Sequence, residues 1–377
     1  MKTDWDVAII GAGPAGGVAA AMLAARGKRV LLIERSAWPR DKVCGGCLNA
    51  RAVAALTEEG LGSALRGSRP IEQVAWHVGG RALEHAAPGG AAILRSEMDA
   101  AIVAEAVARG CTFLPGTSAT LLPATADAHR VIRLRDCARE TKVSASAILA
   151  CDGIGGTSLS GESRAGWRIS RKSWIGVSMT CNAWPGELDA KTIHMHVGRG
   201  GYAGLACMSD GRVHLAAALD PAACRKAGGP APLIEAIFGS CGRNVRSDFS
   251  AGRFHGTGGL TRRRDRLGGH RVLAVGDACG YVEPFTGEGM AWAICCAREA
   301  VELLPAPDAQ WPCDLADRWQ AIHHATIGHR QRWCRGLRTM MHHPALAASA
   351  VAVGRAAPAV SSFLASRVCE VQPGGAA

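Results

Sequence analysis

Residues 5–35, WDVAIIGAGPAGGVAAAMLAARGKRVLLIER, limit what this chain can fold into more than any other segment does. Residues 7–10 form an apolar run of strand length. Gly11, Gly13 and Gly16 follow as G-x-G-x-x-G and lead into an alanine-rich stretch, which predicts a strand, a tight turn and a helix in that order. The helix is expected to stop at Arg26, where Gly27 can take the left-handed backbone of a cap. A second apolar run over residues 30–33 then delivers Glu34, 18 residues beyond Gly16. Each part has a physical task. The first glycine permits the turn, the second lets backbone approach a diphosphate, and the third lets helix lie close to strand, with the helix N-terminus directed at the phosphate charge. A carboxylate at the end of the second strand can accept both ribose hydroxyls. Together these parts indicate an adenine dinucleotide site.

A second segment narrows the dinucleotide. Residues 271–293, RVLAVGDACGYVEPFTGEGMAWA, pass from an apolar run at 272–275 through Gly276-Asp277 into a Pro/Gly-rich turn and then a helical pattern. This segment lies about 260 residues after the first and repeats its phosphate-end logic, so the two frame an extended FAD. A second dinucleotide fingerprint is not visible. Reducing equivalents are therefore expected from transiently bound NAD(P)H or from a donor protein such as reduced ferredoxin, an acidic partner that a net charge of +11 would suit.

Composition excludes several other classes. A chain of 377 residues, 48% hydrophobic and 20% charged, is long enough for one large core or two modest domains. No apolar run reaches bilayer-spanning length and the N-terminus does not read as a signal peptide, so a cytoplasmic protein is expected, with peripheral docking on an acidic membrane surface as an alternative. Of 43 basic residues 36 are arginine, and no basic, aromatic-interleaved motif accompanies them, which argues against nucleic acid. Fifteen cysteines are scattered rather than framed, so reduced thiols are expected. The stretch VCGGCLN at 43–49 holds a C-x-x-C without a second pair at finger-like spacing, and no metal is expected. Two readings of it stay open: glycines that bring backbone N–H groups up to a flat surface, or a dithiol relay.

The strings GAGPAG, ER, KVCGG, RSEMD, CDGIGGTS and GDACGYVEPFTGEGM occur in that order between residue 11 and residue 290. In them the chain resembles FAD-dependent oxidoreductases of the para-hydroxybenzoate hydroxylase type of fold, and most closely the geranylgeranyl reductase family. The resemblance implies an α/β fold: a Rossmann-type FAD-binding domain (1–69, 95–165 and 256–300), an inserted antiparallel β-sheet substrate domain (70–94 and 166–255) and a C-terminal helical cap (301–377). It implies that Gly11, Gly13, Ala15, Gly16, Glu34 and Arg35 bind the adenosine half of FAD, with Arg95 at the pyrophosphate and Ala119 offering backbone to the adenine. It also implies Asp152 and Asp277 along the cofactor, and Cys44, Gly45, Cys47, Pro284, Gly287, Gly289 and Met290 beside the flavin ring. The Tyr-x-Trp-x-Phe-Pro string frequent in that family is absent, as is the Trp-x-Trp-x-Ile-Pro signature of flavin halogenases.

Residues 173–183 and 192–220 alternate with period 2, interrupted at Gly200-Gly201 and Asp210-Gly211, and predict an antiparallel sheet that roofs the flavin. Beyond residue 298 the pattern is helical, with breaks expected at Gly354 and Pro358. Arg330, Arg332, Arg335 and Arg338 beside Trp333 and Leu337 offer a face for a membrane surface. Saturating an isolated alkene needs a proton as well as a hydride. Cys44, Cys47, Tyr281 and Glu283 are the candidate donors, with His194, His196 and Tyr202 from the roof. Three functions are consistent with these residues: hydride transfer between flavin and a lipophilic polyprenyl or polyketide-like substrate, aromatic monooxygenation, or a role as an FAD-binding electron-transfer or maturation partner.

Overall fold

In the computed structural model, which describes residues 4–125, 128–182, 188–243, 253–283 and 287–357, the apolar runs become the parallel centre of the first sheet. Its order is Gly268–Gly269, Val272–Ala274, Glu140–Ala150, Trp5–Ile10, Val30–Ile33, Thr112–Leu114, with Ser118–Leu121 and Arg130–Arg135 added as a hairpin on the long third strand. The strands from Val272–Ala274 to Thr112–Leu114 run parallel. Their unbroken apolar character follows from burial on both faces. Helix Pro14–Ala25 is buried almost along its whole length because it packs between helices Arg95–Ala108 and Glu288–Leu303. It ends at Arg26, and Gly27 takes φ +70°, as the spacing predicts.

The second sheet runs His255–Gly259, Ile175–Cys181, Val213–Leu219, Gly201–Cys207, Thr192–Gly198, Arg69–Val78, Arg81–Ala92, Cys47–Leu48. It is mixed rather than wholly antiparallel, because Thr192–Gly198 pairs in parallel with Arg69–Val78. Parallel neighbours need a long crossover, and here more than 100 residues, including helix Arg95–Ala108 and strand Glu140–Ala150 of the first unit, lie between the two strands. The short strands Cys47–Leu48 and His255–Gly259 also hydrogen-bond into this sheet, although both lie in or against segments that the sequence pattern gives to the cofactor domain. Helices Pro221–Ala227 and Pro230–Ser240 cover one face of the sheet around Ile234, Ile237 and Phe238. The other face looks toward the first unit.

Helix Leu315–His323, one π-helical turn His324–Gly328 and helix His329–Met341 run end to end, followed by Pro344–Ala356. Gly354 lies inside the last helix and does not break it, while Pro358 lies outside the described residues. Trp319, fully buried, donates its indole N–H to the Ala274 carbonyl at 2.8 Å and ties this helical layer to the parallel sheet. Arg332, Trp333 and Arg335 are exposed, but Arg330 turns to Glu288 at 3.7 Å and Arg338 donates to Thr261 Oγ1 at 3.0 Å, so the expected basic face is only partly turned outward. Among the described residues no helix is long and apolar enough to cross a membrane.

Candidate active site

Four parallel strands end at one edge of the first sheet, and each delivers part of the site: Gly11–Gly13 after Trp5–Ile10, Glu34 after Val30–Ile33, Asp152 after Glu140–Ala150, and Gly276–Asp277 after Val272–Ala274. This carboxyl edge is where open α/β sheets bind ligands. A cavity of about 400 Å³ lies there, between this edge and the second sheet. Gly13, Ala15, Arg35, Cys44, Gly45, Cys47, Arg95, Asp152, Asp277, Tyr281, Glu283, Gly287, Gly289 and Met290 line it, as do Tyr202 and Lys42. Gly11 and Gly16 lie behind the lining and shape the turn. A Cβ at Gly16 would stand 1.9 Å from the Gly11 carbonyl oxygen, and one at Gly11, whose φ is +105°, would stand 2.4 Å from that of Cys151. Ala119 does not reach the cavity: it pairs with Leu134 in the outlying hairpin. Pro284 lies outside the described residues.

Around Glu34 runs a continuous chain of charge. Glu34 accepts from the Ala12 N–H at 3.2 Å, the Ser36 N–H at 3.1 Å and Arg40 Nε at 3.0 Å. Arg40 continues to Asp99 at 3.2 Å, and Arg95 grips Asp99 with two bonds of 3.0 and 2.7 Å. Burial by itself would lift the Glu34 carboxyl, but Arg40 and the two backbone donors outweigh it and hold the group below its usual range. Deeper in, burial pushes the Asp277 carboxyl up against the pull of Lys42 and Arg95. Asp152 gives Oδ2 to its own loop, accepting from the Ser158 N–H at 2.8 Å and hydroxyl at 2.6 Å, while Oδ1 is buried without a partner among the described residues. Arg264 staples that loop to the Gly276–Cys279 turn, donating to Ala278 O at 2.8 Å and Gly156 O at 3.0 Å with its guanidinium 3.8 Å from the Trp167 ring centre. Arg40 and Arg264 carry no spacing signature; the packing of distant segments selects them.

The Cys-Gly-Gly-Cys loop lies flat along the cavity wall. His214, from the second sheet, accepts or donates at Thr180 Oγ1 (3.0 Å) and reaches the Cys44 carbonyl at 2.9 Å. A Cβ at Gly46 would meet His214 Cδ2 at 2.7 Å, so the loop rests directly on that ring. Both thiols are free, and burial together with Cys44 pushes the Cys47 thiol up to about 12. A thiol so far from ionisation is a poor relay nucleophile, which favours the backbone-contact reading. Among the described residues the metal-spaced group is Cys279, Cys296 and His323, all buried; none lines the cavity. Their thiols are already engaged, Cys279 with Ala274 O at 3.0 Å and Cys296 with the Gly276 N–H at 3.1 Å.

The roof resolves the proton-donor candidates. Ile193, Met195 and Tyr202 face the cavity, whereas His194 and His196 sit on the opposite face, His196 against Phe238 of the covering helix. The period-2 alternation puts the two histidines on one side, and the helices decide that this side is the outer one. Glu283, one of the candidate donors, is fully buried, with Oε1 2.8 Å from His342 Nε2. His342 stacks on Trp174 with ring centres 3.6 Å apart.

A family described as "FAD binding domain" matches residues 4–307. The chain belongs to this family. It binds FAD and is an FAD-dependent oxidoreductase. Among curated proteins it is similar to "Menaquinone reductase" of Mycobacterium tuberculosis, 29% identical over 340 residues that cover 83% of this chain and 80% of that protein. Among solved structures it is similar to a flavoprotein/dehydrogenase from Cytophaga hutchinsonii (TM-score 0.73, 19% identity, 91% of this chain and 87% of that one). The flavin-dependent brominase Bmp2, as a triple mutant, also shares the fold (TM-score 0.75, 18% identity, 90% and 89%). The cavity of this FAD-binding chain fits its cofactor. Gly13 is open toward the Arg95 and Arg40 guanidinium groups, 3.5 and 3.7 Å from where its Cβ would be, which leaves room and positive charge for a diphosphate. Exposed Gly45, with Gly287 and Gly289, offers a wall without side chains to a planar ring.

Proposed function

We propose that this FAD-dependent oxidoreductase is a reductase of the geranylgeranyl reductase type, passing hydride between flavin and a lipophilic, polyprenyl or polyketide-like substrate and reducing carbon–carbon double bonds. The observation that carries the reading is the apolar roof: Ile193, Met195, Ala218 and Leu260 line the cavity opposite the glycine loops. Such a wall removes apolar surface from water and leaves few groups to solvate a polar substrate. Similarity over most of the chain to a protein named for reducing menaquinone, a lipophilic quinone, supports the same substrate class. When bound, FAD supplies two-electron hydride chemistry at its isoalloxazine ring. The chain's own residues do the rest: Glu34 and Arg95 anchor the dinucleotide, the Cys44–Cys47 loop and Met290 border the ring, and the roof excludes water. NAD(P)H or reduced ferredoxin serves as electron donor.

The test is an anaerobic titration of the yellow protein with NADPH or reduced ferredoxin, followed by a short-chain naphthoquinone or a prenyl alkene. Reoxidation of the flavin with stoichiometric reduced product is expected. Turnover that requires oxygen and yields a hydroxylated product would replace this reading with a monooxygenase.

A further inference from the structure

The second sheet and the helical layer meet at the substrate end of the cavity around one buried carboxylate. Glu283 is 0% exposed and forms part of the cavity wall. Its Oε1 is 2.8 Å from His342 Nε2, while Oε2 has no hydrogen-bond partner among the described residues. Leaving one oxygen of a buried carboxylate unpaired forfeits its solvation with nothing in return. A purely structural bond to His342 would be met as well by an amide or a hydroxyl. His342 caps the end of helix His329–Met341 and is clamped flat on Trp174, so its ring cannot swing away from Glu283.

The neighbours of the pair leave it as the group that can exchange a proton. Tyr202 from the roof, Tyr281 from Glu283's own segment and Cys334 from the helix are all pushed up by burial and stay neutral. Arg338, from the same helix, is a permanent cation whose Nε is buried without a partner. Ile193, Met195 and Leu260 add aliphatic wall.

We propose that Glu283 and His342 form a proton-donating pair for the substrate, with Glu283 the acid at the cavity wall and His342 the positioning residue that returns its proton from solvent. This rests on the reductase reading above. Reduction of a double bond takes two electrons and one proton as hydride from the reduced cofactor, which is oxidised, and one further proton. The Glu283 O–H bond breaks as the new bond to substrate forms; the carboxylate then takes a proton from His342 Nε2, and the imidazole takes one from water.

The experiment uses FAD-loaded wild type, Glu283→Gln, Glu283→Asp and His342→Asn, reduced anaerobically with dithionite and mixed with a short-chain naphthoquinone or prenyl alkene. Glu283→Gln is expected to keep its FAD and its reduction by dithionite, and to lose about 100-fold or more in substrate reduction. Glu283→Asp should recover part of that loss. In wild type the rate should fall as pH rises, a limb that should vanish in Glu283→Gln. Nitrogen-15 NMR of the oxidised holoprotein should show the His342 ring resonance move in Glu283→Gln. Variants within threefold of an active wild type, with the pH limb retained, overturn the pair alone. A wild type that reduces neither probe overturns the substrate reading and the pair with it.

Discussion

At the dinucleotide end of the cavity the carboxylates of Glu34 and Asp99 are saturated, three donors on one and two arginines on the other, whereas at the roofed end Glu283 keeps an oxygen without a partner. The first end is made by one contiguous strand-turn-helix-strand unit with two salt-bridged additions. The second is assembled from the roof sheet, the turn before Pro284 and a helix that begins nearly fifty residues later. A group meant to hold a cofactor still gains from full pairing. A group meant to exchange a proton must keep capacity in reserve.

The contrast breaks most decisively if the dinucleotide turn tolerates a side chain. Gly16→Val places a Cβ 1.9 Å from a carbonyl oxygen of the same turn, where neither partner can yield. Destabilisation of about 4 kcal/mol or more and loss of bound flavin are expected, read by thermal unfolding and by visible absorbance. A stable yellow variant would show that the turn is not built as described. Next in size, Glu34→Ala removes the acceptor of three hydrogen bonds and leaves Arg40 bound to Asp99 alone. FAD affinity should fall about 10- to 100-fold in a fluorescence titration, with Asp277→Ala nearer the lower figure. Unchanged affinity in both would detach these carboxylates from the cofactor.

Acid should unpick the roof before the dinucleotide end. Burial, with His77 and Arg243 beside it, lowers His196 to about 2, and burial lowers His77 to about 4. Below a pH of about 6.5 the unfolded chain binds protons that these folded rings refuse, so stability is present above that pH and is lost as pH falls toward the depressed values. For a fully buried ring the loss is about 2 kcal/mol at pH 5. Denaturant midpoints should therefore decline from pH 7 to 5, and His196→Phe should flatten the decline. An identical slope in that variant would mean another group titrates. Glu34, with its carboxyl depressed, loses its contribution only at lower pH.

What the sequence discloses follows the same divide. Gly11, Gly13, Gly16 and Glu34 are readable because turn geometry is local and the residue spacing is the mechanism. The roof strands are readable as strands from their alternation, but alternation says nothing of which face is covered; helices Pro221–Ala227 and Pro230–Ser240 settle that for His194 and His196. Parallel pairing of Thr192–Gly198 with Arg69–Val78 is equally hidden, since register between distant segments leaves no local trace. Glu283 is readable as a candidate donor, but its complete burial is not. Its partner, His342, is 59 positions away. The Arg40–Asp99 and His214–Cys44 contacts are invisible for that reason too.

The smallest effect belongs to the loop that lies between the two ends. If the Cys-Gly-Gly-Cys segment works through its backbone, removing the Cys47 sulfur takes away one atom of a half-buried side chain and little else. With its thiol pushed up to about 12, less than one part in ten thousand would be thiolate at neutral pH. The loop's position is held instead by His214 at the Cys44 carbonyl and by strand pairing of Cys47–Leu48 with Ala91 and Ala92. Cys47→Ala should therefore keep its FAD and stay within about threefold of wild-type turnover, with a stability loss near 1 kcal/mol measured by urea denaturation. Loss of turnover in a variant that retains flavin would require the sulfur itself to carry electrons, and would move this loop from the binding end of the comparison to the reacting one.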